Sequence, residues 1–175
     1  MVLPIRAEER AIESLGDETL RPLLQAWRAL KGERPWLDRA SLLPERLPAA
    51  ALPHMALLER VPPDAEHADT ADFRIRIVGD EIENRRLGYV RGALVSGIRP
   101  DWYAQHLLDG YRQSCREARP LYQRVTAIHP EEDMHYERLL LPMSARGAAA
   151  DMLLVASVRS RALVRFMTYE EKDES

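Results

Sequence analysis

Residues 121–158 read LYQRVTAIHPEEDMHYERLLLPMSARGAAADMLLVASV, and the pattern of this segment is the main basis for predicting the fold. It contains three short apolar runs that are separated by polar, turn-forming segments, a pattern typical of strands. The predicted strands are 121–128, 136–141 and 152–158. Because the connections between them are short enough to be hairpins, we predict an antiparallel three-stranded meander.

Two more strands and a long helix are predicted upstream of this meander. The segment 55–61 is an apolar run that Pro62 and Pro63 end, and 73–77 alternates apolar residues with arginines, as expected of a strand with one buried face. Between the two groups of strands, a long helix is predicted to begin with Asp101 as its N-cap. One face of this helix carries Tyr103, His106, Leu107, Gly110, Tyr111 and Ser114.

The amino-terminal part of the chain predicts two helices. A short polar helix is predicted over 7–15, and a firmer one over 19–31, with Thr19 as its N-cap and Gly32 as the residue that ends it. The apolar stripe of the second helix consists of Leu20, Leu23, Leu24, Trp27 and Leu30. This stripe fits two interpretations equally, a part of the protein's own core or the seam of a dimer. On the second interpretation we expect a homodimer.

Together these elements predict an α+β fold. We expect five antiparallel strands in a sheet with helices on one face, preceded by an N-terminal helical extension. The expected boundaries are 1–34 for the extension, 35–160 for the domain that contains the sheet and 161–175 for a polar tail.

Composition narrows the functional class. The chain has 175 residues, a formal net charge of -3 and a pI of about 6.0, which disfavours a protein that binds nucleic acid by neutralising phosphates. Its single cysteine, Cys115, excludes an intramolecular disulfide and a cysteine-rich metal site. No run approaches the roughly 20 apolar residues of a membrane span, and the charged segment 1–16 predicts no signal peptide. We therefore expect a cytoplasmic protein with neither a membrane nor a nucleic acid as its partner.

Several short motifs follow one another along residues 20–160. They are Trp27–Gly32, the proline segments Leu43-Pro44 and Leu52–Met55, the segment Asp72–Gly79 (DFRIRIVG), the glycines Gly88 and Gly92, and Tyr136–Ser144 (YERLLLPMS) followed by Ala150–Leu154 (ADMLL). In this order they resemble a bacterial, stand-alone branch of the PAS superfamily. PAS domains also have a strand pair and a strand triple joined by a helical crossover.

The resemblance implies a non-catalytic sensory or regulatory domain. Such a domain acts by protein association, with a second copy or an unidentified signalling protein, and with or without a small-molecule ligand in a central pocket. The pocket candidates are Tyr103, His106, Leu107 and Tyr111 from the long helix, and Arg76, Tyr136 and Arg138 from the sheet. An arginine directed inward would suit a carboxylate or phosphate, although arginines that alternate with buried apolar residues most simply face water.

The resemblance also raises two cofactors, and the residues argue against both. His106 lies on the helix where haem-binding PAS sensors place their proximal ligand, but a hydrogen-bonded helix histidine is the simpler interpretation. Cys115 lies late in the same helix, outside the motif with which flavin-binding PAS photosensors form their adduct. The histidines show no metal-ligand spacing. We therefore expect no haem, no flavin and no metal.

Two other classes of function fit the residues. An α+β domain with a central pocket can host lyase or isomerase chemistry, in which His106 and Asp109 would be the acid–base groups. This alternative predicts a deep, polar pocket with a perturbed histidine, whereas the PAS-like interpretation predicts an apolar or collapsed pocket. The third hypothesis is a structural interaction protein that binds no ligand.

Overall fold

An antiparallel sheet is the centre of an α+β fold. The computed structural model of the protein describes residues 5–63, 65–128 and 132–159. Its strands are β1 (Ile5–Arg10), β2 (Leu37–Asp38), β3 (Met55–Val61), β4 (Asp72–Val78), β5 (Leu121–Ala127), β6 (Met134–Ser144) and β7 (Met152–Val158), and its helices are α1 (Leu20–Lys31) and α2 (Asp101–Glu117). Short 3-10 segments span Ile12–Ser14, Arg39–Ser41, Pro44–Arg46, Ala49–His54, Ala65–His67 and Val95–Gly97.

The strands of the described residues pair antiparallel in the spatial order β1-β5-β6-β7-β3-β4. In addition, β2 makes a short parallel pairing with the end of β6, where Leu37 lies opposite Met143. The strands β5, β6 and β7 are joined as successive antiparallel neighbours, so the predicted meander is confirmed. The strand pair β3–β4 joins the sheet beside β7.

Most predicted elements lie where the sequence placed them. The strands predicted over 55–61 and 152–158 match β3 and β7. The long helix is present as α2, but Asp101, predicted as its N-cap, is its first helical residue, and Pro100 occupies the N-cap position. β6 is longer than the predicted strand over 136–141. Its pairing with β7 continues through Pro142 and Met143, because both residues are buried and apolar.

The amino-terminal segment requires a correction. Residues 5–10 form β1, whereas a helix is predicted over 7–15, and only Ile12–Ser14 is a helical turn. β1 pairs along β5, with Ile5 opposite Ala127. The charged residues of this segment favour a helix locally, but pairing satisfies backbone groups that β5 would otherwise expose at the sheet edge, and tertiary context overrides propensity. The sheet of the described residues therefore has seven strands and not five.

The helix predicted over 19–31 is present as α1, and Thr19 occupies the N-cap position as predicted, but the capping hydrogen bonds are accepted by the carboxylate of Asp17. Asp17 Oδ1 accepts hydrogen bonds from the backbone N–H groups of Thr19 and Leu20, at 2.8 and 2.9 Å. The Thr19 side chain makes no capping hydrogen bond. Gly32 ends the helix with a φ of 59°, a conformation that glycine adopts without steric cost.

Helices cover both faces of the sheet, whereas the prediction placed them on one. Side chains alternate along each strand, so neighbouring leucines of β6 enter different cores. Leu140 packs under α2, in what we call the α2-side core, and Leu139 packs under α1, in the α1-side core. The sheet thus separates two apolar layers.

The apolar stripe of α1 belongs to the α1-side core. Leu20, Leu23, Leu24 and Trp27 are buried there, and Leu30 packs at its margin. The indole N–H of Trp27 also donates to the carbonyl of Pro142, at 3.2 Å. This packing fits the core interpretation of the stripe, and a homodimer would need another surface.

Candidate functional site

A group of polar side chains is buried in the α2-side core. Leu140 shares its face of β6 with Tyr136 and Arg138, and Gln123 occupies the neighbouring position on β5, in register with Arg138. Arg138 is 1% exposed and Gln123 is 3% exposed. The alternation that builds the core therefore also places a guanidinium beneath α2.

The guanidinium of Arg138 is only partly satisfied. Its Nε donates to Gln123 Oε1 at 2.7 Å. Its Nη1 and Nη2 have no hydrogen bond of ordinary geometry among the residues that the structure describes, although the guanidinium lies close enough to the Tyr136 hydroxyl to oppose the rise in the pKa of that tyrosine. A buried charge without partners is costly, because it loses hydration and receives nothing in return. This arginine therefore weakens the core that contains it.

Gly110 of α2 makes room for this guanidinium. A methyl group at residue 110 would overlap Arg138 Nη2, and would lie 3.1 Å from Arg138 Cζ. Glycine within a helix costs about 0.5–1 kcal/mol relative to alanine. The helix thus carries an unfavourable residue where the arginine approaches it.

Hydroxyl groups and one imidazole surround the arginine. Tyr89 and Tyr111 join their hydroxyls at 3.1 Å, and His106 Nε2 lies 3.2 Å from the Tyr136 hydroxyl. The Tyr103 ring stacks on the His106 ring, with centroids 6.1 Å apart. The result is a polar network in an otherwise apolar layer.

Burial fixes the protonation of these groups. It raises the pKa of each buried tyrosine in the network, so the hydroxyls of Tyr89, Tyr103, Tyr111 and Tyr136 remain protonated at neutral pH. Burial, and to a smaller extent the charge of Arg138, lower the pKa of His106 to about 2. The imidazole is therefore neutral at physiological pH.

Two cavities meet at Arg138. The inner one has a volume of about 30 Å³, room for one or two water-sized groups, and is lined by the four tyrosines together with Asn84 and Leu107. The outer one is a groove of about 430 Å³ between α2 and the β1–β5 edge of the sheet. Its apolar residues are Ile5, Ala7 and Trp102, and its polar residues include His106 and Gln123. The groove falls within the size range of small-molecule sites.

The structure brings together six of the seven predicted pocket residues, namely Tyr103, His106, Leu107, Tyr111, Tyr136 and Arg138. Arg76 is a correction. It is exposed on the edge strand β4, where its Nε lies 3.3 Å from Glu59 Oε2. On this strand the arginine alternating with apolar residues faces water, whereas on β6 the same pattern buries one.

Several residues of the site lie outside the predicted set, among them Gln123, Gly110 and Tyr89. Gln123 lies between the apolar residues Leu121 and Val125 on one face of a predicted strand, so the two-residue period could have found it. Gly110 lies on the predicted apolar face of α2, but its role depends on the arginine opposite. Tyr89 comes from a segment without periodicity, held by paired backbone hydrogen bonds with Asn84.

The described residues contain no group of three or more His, Cys, Asp or Glu side chains that could hold a metal ion. No helix in the same part of the chain is long and apolar enough to cross a membrane. Comparison of the chain with family models, curated proteins and solved structures finds no match. The geometry of the site itself is therefore the basis on which a function can be inferred.

The buried neutral state of His106 predicts a pH-dependent stability. In the unfolded chain this histidine takes up a proton below its ordinary pKa of about 6.5, while the folded chain resists protonation down to about pH 2. The unfolded state thus binds more protons below pH 6.5, and the unfolding free energy decreases as the pH is lowered. We expect His106 to remove about 2 kcal/mol of unfolding free energy between pH 7.5 and pH 5.

Urea unfolding at these two pH values checks this. His106→Asn, which does not titrate, should lose this part of the pH dependence, whereas the exposed His135→Asn should behave like the wild type. An unchanged pH dependence in His106→Asn would show that the folded protein accepts the proton.

The contact between Gly110 and Arg138 predicts that Gly110→Ala changes the unfolding free energy in opposite directions in two backgrounds. In the wild type, Gly110→Ala should lower the unfolding free energy by about 1–3 kcal/mol, because the methyl group displaces a buried guanidinium. In an Arg138→Met background, where Nη2 is gone, the same change should raise stability by about 0.5–1 kcal/mol through helix propensity. A double-mutant cycle measures both terms, and equal effects in the two backgrounds would refute the contact.

Proposed function

We propose that this chain is a non-catalytic, PAS-like regulatory domain that binds a small molecule between α2 and the sheet and acts by association with a signalling protein. The observation that carries the proposal is the buried Arg138, with two nitrogens unpartnered among the described residues. A well-packed apolar residue is often as stabilising as a buried ion pair, and more so than an unpaired charge. A role in ligand binding explains why the guanidinium of Arg138 is buried, whereas a role in stabilising the fold does not.

The topology supports the PAS-like part of the proposal. The strand pair β3–β4 and the triple β5–β7 lie in one sheet with α2 between them in sequence, and the resemblance to PAS domains implies this succession of a pair, a helical crossover and a triple. In this proposal, β1 and α1 are additions to that sheet at its edge and on its second face.

A route from the ligand to a partner follows from the two-faced sheet. Arg138 faces the α2-side core, while the next residue, Leu139, faces the α1-side core. Trp27 of α1 donates to the carbonyl of Pro142 on the same strand. A ligand that shifts β6 therefore changes how α1 packs, which is a population shift between two arrangements. In the proposal, α1 and its surroundings report the bound state to a signalling protein or a second copy in the cytoplasm.

Two observations favour the enzymatic alternative. The site is polar and its histidine is perturbed, the features expected of an enzyme with His106 and Asp109 as acid–base groups. However, an imidazole with a pKa of about 2 is a weak base, far from the range that favours proton transfer at neutral pH. Asp109 is exposed and accepts a hydrogen bond from Gln105 at 2.7 Å. We therefore favour binding over catalysis.

Native mass spectrometry of the protein purified from its own host tests the proposal. We expect a complex whose mass exceeds that of the chain by a small molecule, which denaturation releases, and the same spectrum gives the oligomeric state. Arg138→Met purified in the same way should carry no such molecule. Wild-type protein that contains only the bare chain would argue for a structural interaction protein.

A further inference from the structure

We infer that the ligand is a small organic monocarboxylate, bound through Nη1 and Nη2 of Arg138 with its apolar part in the groove between α2 and the β1–β5 edge. The inference rests on the proposed function, since it names the ligand class of that site. The guanidinium nitrogens that already make hydrogen bonds limit where a ligand can bind. Gln123 accepts the hydrogen bond of Nε, so the end of the guanidinium formed by Nη1 and Nη2 is left to a ligand.

The geometry of this end favours an anion with two coplanar oxygens. Two parallel N–H groups of an arginine match the two oxygens of a carboxylate, and such paired hydrogen bonds are among the strongest in proteins. A halide is a single spherical acceptor, so it matches the two parallel N–H groups less well than a carboxylate does. Protonated tyrosine hydroxyls nearby, those of Tyr103 and Tyr136, add donors for the same oxygens.

Charge balance selects a monoanion. Among the described residues that line the two cavities, Arg138 is the one cation, since His106 is neutral. One carboxylate therefore neutralises the buried guanidinium, because the carboxylate of Asp109 is exposed at the rim of the groove and keeps its hydration. A phosphate dianion would leave a second negative charge in a buried region, where an unpaired charge is costly. Asp109 at the rim of the groove adds to this preference against dianions.

The groove defines the rest of the ligand. Its volume of about 430 Å³ exceeds what a carboxylate alone needs, and Ile5, Ala7 and Trp102 offer apolar contact. Both Nη atoms are shielded from solvent, so the carboxylate reaches them only when α2 moves relative to the sheet edge. Binding is thereby coupled to the position of α2.

Thermal unfolding with defined probes tests the ligand class. Wild-type protein is titrated at about pH 8.5, where inorganic phosphate is mostly the dianion, with sodium acetate, propionate and benzoate, and with sodium chloride and inorganic phosphate at matched ionic strength. We expect a saturable rise in Tm with the carboxylates, strongest for the probe with the largest apolar part, and no saturable rise with chloride or phosphate. An equal response to phosphate or chloride would overturn the inference.

Three variants assign the response to Arg138. Arg138→Met should abolish it, and Arg138→Lys, which keeps the charge but loses the paired N–H groups, should weaken it at least tenfold. Arg60→Met is the matched control, because Arg60 is also buried and its Nε also lacks a partner among the described residues, but its Nη1 and Nη2 donate to the carbonyls of Ala150, at 3.2 Å, and Pro63. It should lower Tm and keep the carboxylate response. A full response in Arg138→Met would overturn the inference.

Nuclear magnetic resonance keeps the test decisive if a variant fails to fold. The Nε–H resonance of Arg138 in wild-type protein should shift on adding propionate, while that of Arg60 should not. No shift at saturating propionate would refute the ligand class. If native mass spectrometry nevertheless shows a bound molecule, the proposed function stands with another ligand, and if it shows none, both fail.

Discussion

Replacing Trp27 by alanine is expected to lower the free energy of unfolding by about 3–5 kcal/mol. The side chain is fully buried in the α1-side core, and its indole N–H satisfies the carbonyl of Pro142. Alanine would leave a cavity and a carbonyl without a donor, and the two penalties add. Denaturant unfolding followed by circular dichroism measures the change.

Two matched variants separate the contributions. Trp27→Phe keeps most of the packing but not the hydrogen bond, and should cost less than Trp27→Ala. Trp36→Ala removes a half-buried tryptophan and should cost clearly less than the change at position 27. If Trp27 instead formed a dimer seam, Trp27→Ala would dissociate the protein without unfolding it. That outcome would contradict the packing described here.

A second large loss of unfolding free energy is expected when either of two adjacent leucines of β6 is replaced by alanine. Leu139 and Leu140 are both fully buried, the first in the α1-side core and the second in the α2-side core. Leu139→Ala and Leu140→Ala should each lower the unfolding free energy by about 2–5 kcal/mol. Ordinarily one of two neighbouring strand residues faces solvent, so two large effects indicate a sheet that is covered on both faces.

The same denaturant experiment includes a leucine control. Leu52 is 39% exposed, and Leu52→Ala should cost much less than either change in β6. A near-neutral result at Leu139 would mean that α1 does not cover its face of the sheet. A near-neutral result at Leu140 would mean the same for α2.

Local pattern was sufficient for much of the fold. The two-residue period of 73–77, the apolar runs of the meander and the apolar face of α2 each predicted an element, and the structure confirms them. The apolar residues on both faces of 152–158 also indicate a strand buried on both sides. These are properties of single segments, so no distant partner is needed to infer them.

The errors arose where a distant partner decides the structure. β1 is a strand because β5 lies beside it, and no periodicity within Ile5–Arg10 contains that information. Arg76 and Arg138 both alternate with apolar residues in strands. Arg76 lies on an edge strand next to Glu59, whereas Arg138 lies on an interior strand beneath a helix, so one is solvated and the other is buried.

The character of the pocket also differs from the expectation for a PAS-like domain. An apolar or collapsed pocket was expected, and the structure has a polar network around a charge. Each tyrosine alone fits an apolar face. The polarity arises because α2, β6 and the segment around Tyr89 direct their hydroxyls to one place, which the sequence does not reveal.

If Arg138 serves a ligand and not the fold, as we propose, ligand-free Arg138→Met should be no less stable than the ligand-free wild type. Wild type and variant are freed of ligand by unfolding and refolding, and their unfolding free energies are compared. Methionine removes an unpaired buried charge and costs Gln123 one donor, so we expect stability to be unchanged within about 1 kcal/mol or to rise. A loss of about 3 kcal/mol or more would show that the arginine has structural partners, and would contradict the claim.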